Sequence, residues 1–186
     1  MTLTDPDAAL LVVDVQQGAF DDGQPALHDS ENVLVRISRL AARARALAIP
    51  VVYTQFGGPP GTPLATGSDA AKIHQSVAPH AGDLVIPKAD SDAFLRTALH
   101  EALSSHGVTT LVVCGLQTEF CVDATCRSAY GLGYRVVLAQ DAHTTADSPA
   151  LTAAQIIEHH NRTLSTPYVT LTSTDELFLG LDCLSI

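Results

Sequence analysis

A three-layer α/β/α sandwich on a six-stranded parallel sheet, Rossmann-like in plan, is the fold class this sequence predicts. Short apolar runs alternate with helix-period segments along the whole chain, which is how successive βαβ units read. The chain is 46% hydrophobic and only 16% charged, the balance of a sheet covered on both faces. Charged residues also stand at the carboxyl ends of apolar runs, the edge where open α/β sheets carry their ligand sites.

The elements follow in order. AALLVVD, residues 8–14, is the first strand. A helix from about Ser30 to Ala48 follows, with Leu34, Ile37, Ala41, Ala44 and Ala48 as its buried stripe. PVVYTQF, residues 50–56, is the second strand and LVI, residues 84–86, a short third. Leu95, Leu99, Ala102 and Leu103 share one face of the next helix. Strands over 109–114 and 134–139 flank a helix opening at Thr118. Thr152 and Gln155 form a capping box, Tyr168 to Leu171 is a sixth strand, and Ser173 with Glu176 opens a last short helix in the same way. Right-handed crossovers distribute the helices over both faces.

Residues 57–82, beginning GGPPGTPLATG, are too long and too rich in Gly and Pro for an ordinary connection. Loops of this length in compact domains are usually functional. This one leaves the carboxyl end of a strand, so it is expected to be a lid or a subunit contact.

The 186 residues are read as one domain, 1–186, large enough to bury roughly two-thirds of the unfolded surface. Twenty acidic against ten basic residues give a net charge of −10, which argues against nucleic acid or an anionic membrane as partner. Cys114 and Cys126 fall in expected core and Cys183 in the tail, so no disulfide framework is expected. The start, MTLTDPDAALLVVDV, lacks a basic segment and its apolar run breaks at Asp14. No signal peptide and no membrane span are expected, and the localisation expected is cytoplasmic.

The most informative stretch is LVVCGLQTEFCVDATCRSAYGLGYRVV. It reads as a buried strand, a short loop, then a helix with Thr118 as N-cap and Cys121 in its first turn. Unpaired N–H groups and the helix dipole favour a thiolate there, so this is where a nucleophilic cysteine belongs. Asp14 and Lys88 end two other apolar runs, and three strand ends thus bring a base, a cation and a sulfur to one rim. An acid ending a first strand also serves magnesium or dinucleotide sites, but VDVQQGAF offers neither a second acid nor G-x-G-x-x-G.

The order Asp14, Lys88, Cys121, with VDVQ around the first and TEFCVDATCRSA around the last, resembles the isochorismatase-like cysteine hydrolases. These include nicotinamidases, N-carbamoylsarcosine amidohydrolases, ureidoacrylate amidohydrolases and streptothricin hydrolases. The resemblance implies the isochorismatase-like hydrolase fold and cleavage of a small-molecule C–N bond (amide, lactam or ureido) through a thioester on Cys121. It implies Asp14 as base and later proton donor, and Lys88 as the cation that stabilises the thiolate. It also implies an oxyanion hole from the backbone N–H groups of Gln117 and Cys121, with a cis peptide between Leu116 and Gln117.

Phe20, Gln55 and Phe56 lie at or near the rim and are candidates for substrate contact. Asp141 reads as a structural cap, His143 as ambiguous, and His159 and His160 as core or subunit-contact residues rather than metal ligands. Nicotinamidases carry an Asp-x-His metal motif just after the second strand. Here the position reads Gln55-Phe56-Gly57-Gly58, while His74 and His80 lack compact ligand spacing. The expectation is therefore no metal, no cofactor and a homo-oligomer, dimer or larger, acting on a small molecule. Two alternatives stay open: isochorismatase-type vinyl-ether cleavage, and a non-catalytic binding or regulatory protein on the same scaffold.

Overall fold

The computed structural model describes residues 5–179. Six strands form one parallel sheet: β1 (Ala8–Val13), β2 (Val51–Phe56), β3 (Leu84–Lys88), β4 (Thr110–Leu116), β5 (Arg135–Thr144) and β6 (Thr170–Thr172). Their spatial order is β3-β2-β1-β4-β5-β6. The chain order reverses between β1 and β4, so the crevice at their carboxyl ends is the switch point where such sheets bind ligands. Val13 pairs with Gly115 there, and Phe56 with Lys88 one strand further out.

Alternation along the strands divides the core in two. Leu10, Val12, Tyr53, Val112 and Cys114 face one side, under α1 (Ser30–Ala46) and Leu177 of α5 (Thr174–Leu179). Ala9, Leu11, Val13, Val113 and Leu138 face the other, under α2 (Leu99–Ser105), α3 (Asp123–Gly131) and α4 (Ala153–Leu164). This is the expected three-layer sandwich. No helix among the described residues is long and apolar enough to cross a membrane.

Several local expectations shift. The buried stripe of α1 is Val33, Ile37, Leu40, Ala41 and Ala44, whereas Leu34 is only partly buried. Ala48 lies beyond the helix at φ 56°, exposed. α2 begins at Leu99, and Leu95 is 46% exposed before it. That stretch is instead a loop tied to α3, where the Ala93 N–H donates to Thr125 (3.1 Å) and Ser128 donates to Asp92 (2.5 Å). β5 runs five residues past the expected Ala139, to Thr144.

The helix start at Thr118 is also different. Residues Thr118–Val122 form a π-helical turn with Gln117 in the capping position, and α3 proper starts only at Asp123. Such π segments recur at functional sites. The capping box of Thr152 and Gln155 is present, and Ser173 and Glu176 bond reciprocally at the start of α5. Asp141 is a cap as expected, accepting from the N–H and hydroxyl of Thr174 at 2.8 Å each. Cys183 lies outside the described residues.

Candidate active site

At the end of β1 the backbone turns through Asp14 at φ 48°, a left-handed conformation that aspartate tolerates better than most residues. The turn leaves its carboxylate at the switch-point crevice, 7% exposed. Thr54, from the middle of β2, donates to Asp14 Oδ1 at 2.6 Å, and its hydroxyl accepts the Asp14 N–H at 3.2 Å. Thr54 carried no signal in the sequence beyond a polar residue in an apolar strand.

Lys88 ends β3 with its side chain wholly shielded from solvent, and its Nζ lies 2.6 Å from Asp14 Oδ2. Burial of an ammonium requires such compensation. Nζ also donates to the Asp90 and Ser91 carbonyls, at 2.7 and 3.2 Å, and sits 5.4 Å from the centre of the Phe56 ring. The contact with Asp14 is an ion pair rather than an aligned hydrogen bond, and Oδ2 has no aligned donor.

Cys121 sits in the π-turn after β4, half-buried, in the same pocket as Asp14. The pocket, about 320 Å³, is otherwise walled mainly by Phe56, Pro63, Leu64, Leu116, Gln117 and Phe120. The three expected strand-end residues are thus brought together. Burial and the negative charge of Asp14 push the Cys121 thiol up to about 11, and Lys88 offsets only part of that. Burial raises Cys114 and Cys126 further still.

Gly115 makes the close approach of β4 to β1 possible. At φ +126°, a Cβ there would collide with the backbone of Val13, the residue preceding Asp14. The Leu116–Gln117 peptide is cis, as the resemblance implied. Among the described residues, no acceptor bonds the Gln117 N–H, at the head of the turn.

The turn is anchored from below. The Thr118 hydroxyl pairs with His143 Nδ1 at 2.9 Å, and His143 Nε2 with Asn161 Oδ1 at 2.9 Å. The Asn161 amide also donates to the Gln140 carbonyl, which orients Oδ1 toward the ring. Nε2 is then the protonated nitrogen, and Nδ1 accepts from Thr118. Burial holds His143 neutral, down to about 4.

Residues 57–82 cover the site from their own chain. The Gln16 amide, fully buried, donates to the Phe56 and Ala71 carbonyls and accepts from the Phe56 N–H, all within 2.9 Å. Gly18 and Ala70 touch so closely that a Cβ on Gly18 would crowd them. Pro63 and Leu64 of this segment line the Cys121 pocket. It is therefore a cover over the pocket, whatever else it contacts.

Of the rim candidates, only Phe56 lines that pocket. The Gln55 amide is held by the Ala71 carbonyl (2.8 Å) and faces a neighbouring cavity. Phe20 packs on His74, with ring centres 4.6 Å apart, and lines a cavity on the other flank. His74 Nδ1 accepts the Ser76 N–H, and His80 is exposed. His160 pairs with Asp123 at 3.0 Å, and His159 is exposed beside it. Among the described residues, no three His, Cys, Asp or Glu side chains are grouped as metal ligands.

A domain model for isochorismatase matches residues 8–173. The chain belongs to the isochorismatase family. Within that family, it is 45% identical to a streptothricin hydrolase from Streptomyces noursei over 142 residues, 76% of this chain and 51% of that protein. The chain thus spans about half the length of that curated relative. A ureidoacrylate amidohydrolase from Methylorubrum extorquens is 32% identical over 183 residues, 79% of this chain and 74% of that protein. A crystal structure of an isochorismatase-type protein from Oleispira antarctica is 34% identical, with a TM-score of 0.88 over 97% of this chain and 100% of that one. The family fold is the sandwich described above, and the activities named for these two relatives are hydrolytic.

Proposed function

We propose that this chain is a cysteine hydrolase that cleaves an amide, lactam or ureido C–N bond of a small molecule through a thioester on Cys121. The reading rests above all on one observation: a thiol, an orphaned carboxylate oxygen and a buried ammonium meet at the switch point of the sheet. A stable neutral thiol is a poor nucleophile, so its proton must leave as the sulfur attacks. Asp14 Oδ2, free of aligned donors, is the acceptor. Lys88, paired with Asp14 at 2.6 Å, balances the charge that develops on sulfur.

Attack places negative charge on the carbonyl oxygen. The Gln117 and Cys121 N–H groups receive it, since preorganised backbone donors are the efficient way to do so in a dry pocket. Asp14 then returns the proton to the departing nitrogen, leaving the acyl group on sulfur. A water, deprotonated by Asp14, attacks the thioester; the acid departs, and Asp14 returns the proton to the leaving Cys121 sulfur. A buried reactive thiol suits a reducing, cytoplasmic setting. Phe120, 54% exposed at the pocket mouth, suits a subunit contact, and we propose a homo-oligomer, a dimer or larger.

The test is turnover of a panel of small amides, lactams and ureides by the wild-type chain and by Cys121→Ala, Asp14→Asn and Lys88→Ala. Each variant should fold and lose activity by at least about 10²-fold. Turnover by Cys121→Ala at the wild-type rate would remove the thioester route.

A further inference from the structure

The charges around the sulfur cancel. Asp14 lines the pocket, and Lys88, which lines the neighbouring cavity, is matched to it at 2.6 Å. The Lys88 ammonium donates to the Asp90 and Ser91 carbonyls, and its charge is balanced by the Asp14 carboxylate, with the side chain wholly shielded from solvent. Its charge is therefore already met within the fold.

Among the described residues, the walls add no other cation. Phe56, Pro63, Leu64, Leu116 and Phe120 are apolar, and the Gln24 and Gln117 amides and the Ser91 hydroxyl, which have no side-chain hydrogen bond to another described residue, are uncharged. Arg96 lines the neighbouring cavity rather than this one, with both of its contacts, at 2.8 Å each, taken by Asp90. The chain as a whole carries −10, which lowers the concentration of anions near its surface.

We infer that the pocket selects substrates uncharged over the whole part that enters it, a neutral carboxamide, lactam or urea on an apolar group, and rejects carboxylate-bearing analogues. The inference specifies the substrate class of the hydrolase proposed above and rests on that reading for its chemistry. A carboxylate in this pocket would lose its water without gaining a counterion, whereas a neutral amide exchanges its hydrogen bonds for those of Gln117 and the free side chains.

Two small alkylating reagents test this without any known substrate. Iodoacetamide is itself a neutral carboxamide, and iodoacetate is its anionic counterpart. In both cases the Cys121 sulfur forms a bond to the methylene carbon, iodide leaves with the electron pair, and the thiol proton passes to Asp14 or solvent. The ratio of their rates at Cys121, read by peptide mapping, is compared with the ratio for N-acetylcysteine at the same pH and salt.

The expected ratio favours iodoacetamide by at least about tenfold beyond that standard. Leu64→Arg, which sets a guanidinium on the pocket wall, should bring the ratio back toward the standard in a protein whose circular dichroism is unchanged. Iodoacetate labelling as readily as the standard predicts would overturn the inference, as would labelling by neither reagent or an unmoved ratio in folded Leu64→Arg. Turnover by Cys121→Ala would remove the proposed nucleophile and leave the alkylation ratio to report the pocket's charge preference on its own.

Discussion

Gly115 stands against Val13 with no room for a side chain between them, because a Cβ on Gly115 would overlap the Val13 backbone. Val13 is the last residue of β1, and Asp14 follows it. The contact between the two strands therefore sets where the carboxylate stands relative to the turn that carries Cys121. Gly115→Ala should cost about 2–4 kcal/mol of stability, from its φ of +126° and from the displacement of β1. Urea denaturation would measure the loss, and a variant as stable as wild type would show that the strands separate freely.

Thr54 fixes Asp14 from the other side with a 2.6 Å hydrogen bond to Oδ1. Thr54→Val keeps the shape and removes the hydroxyl. Stability should change by no more than about 1–3 kcal/mol, while kcat should fall about tenfold with KM little altered, because the carboxylate loses orientation rather than the substrate losing contacts. Steady-state kinetics decide the matter. A change confined to KM would move Thr54 from positioning Asp14 to holding substrate.

The Cys121 thiol, pushed up to about 11, makes a prediction opposite to that of a resting thiolate. Alkylation by iodoacetamide should keep rising with pH from neutrality toward 10, with no plateau near 7. Lys88→Ala should slow it further at each pH, since Lys88 is what lowers the thiol. Cys114 and Cys126, both fully buried, should label last. A plateau near neutral pH, measured by quenched-flow labelling, would restore the thiolate.

His143 links pH to stability. Its ring is neutral in the fold, held down to about 4 from an ordinary 6.5 by burial. As pH falls from 6.5 to about 4, the unfolded chain binds a proton that the folded chain refuses, so stability falls with it. The full contribution, present above 6.5, is about 3 kcal/mol. Urea titrations at pH 7 and pH 4.5 should show a larger loss for wild type than for His143→Gln. Equal losses would mean that the ring takes up a proton inside the fold.

Chelation gives a separate prediction from the Gln55-Phe56-Gly57-Gly58 sequence that stands in place of an Asp-x-His motif. Activity should survive prolonged EDTA treatment, and elemental analysis should find no stoichiometric zinc, iron or manganese. Activity lost to EDTA and restored by one of those ions would require a metal site.

The strand ends were legible in the sequence because each is a polar residue closing an apolar run, and Asp14, Lys88 and the loop before Cys121 all read that way. The π-turn was not, since Thr118–Val122 has the composition of an ordinary helix start, and the His143 that bonds Thr118 lies 25 residues further along the chain. β5 was cut short for a similar reason: Gln140, Asp141 and His143 look like loop until Asn161, Thr174 and Thr118 supply their partners. The support of Asp14 by Thr54 and of the cover by Gln16 depends on contacts 40 residues apart or more, which no local pattern encodes. Gln55 and Phe56 were equivalent as rim residues, but alternation along β2 and capture of Gln55 by Ala71 leave only Phe56 at the sulfur.

The measurement that bears most directly on the thioester is mass spectrometry of protein quenched in acid during acylation by a small amide or an activated ester. An acyl group on the Cys121 peptide, released by hydroxylamine and absent from Cys121→Ala, is the result predicted. Turnover of the same compound with no acyl group on Cys121, or with the acyl group on another residue, would contradict the account.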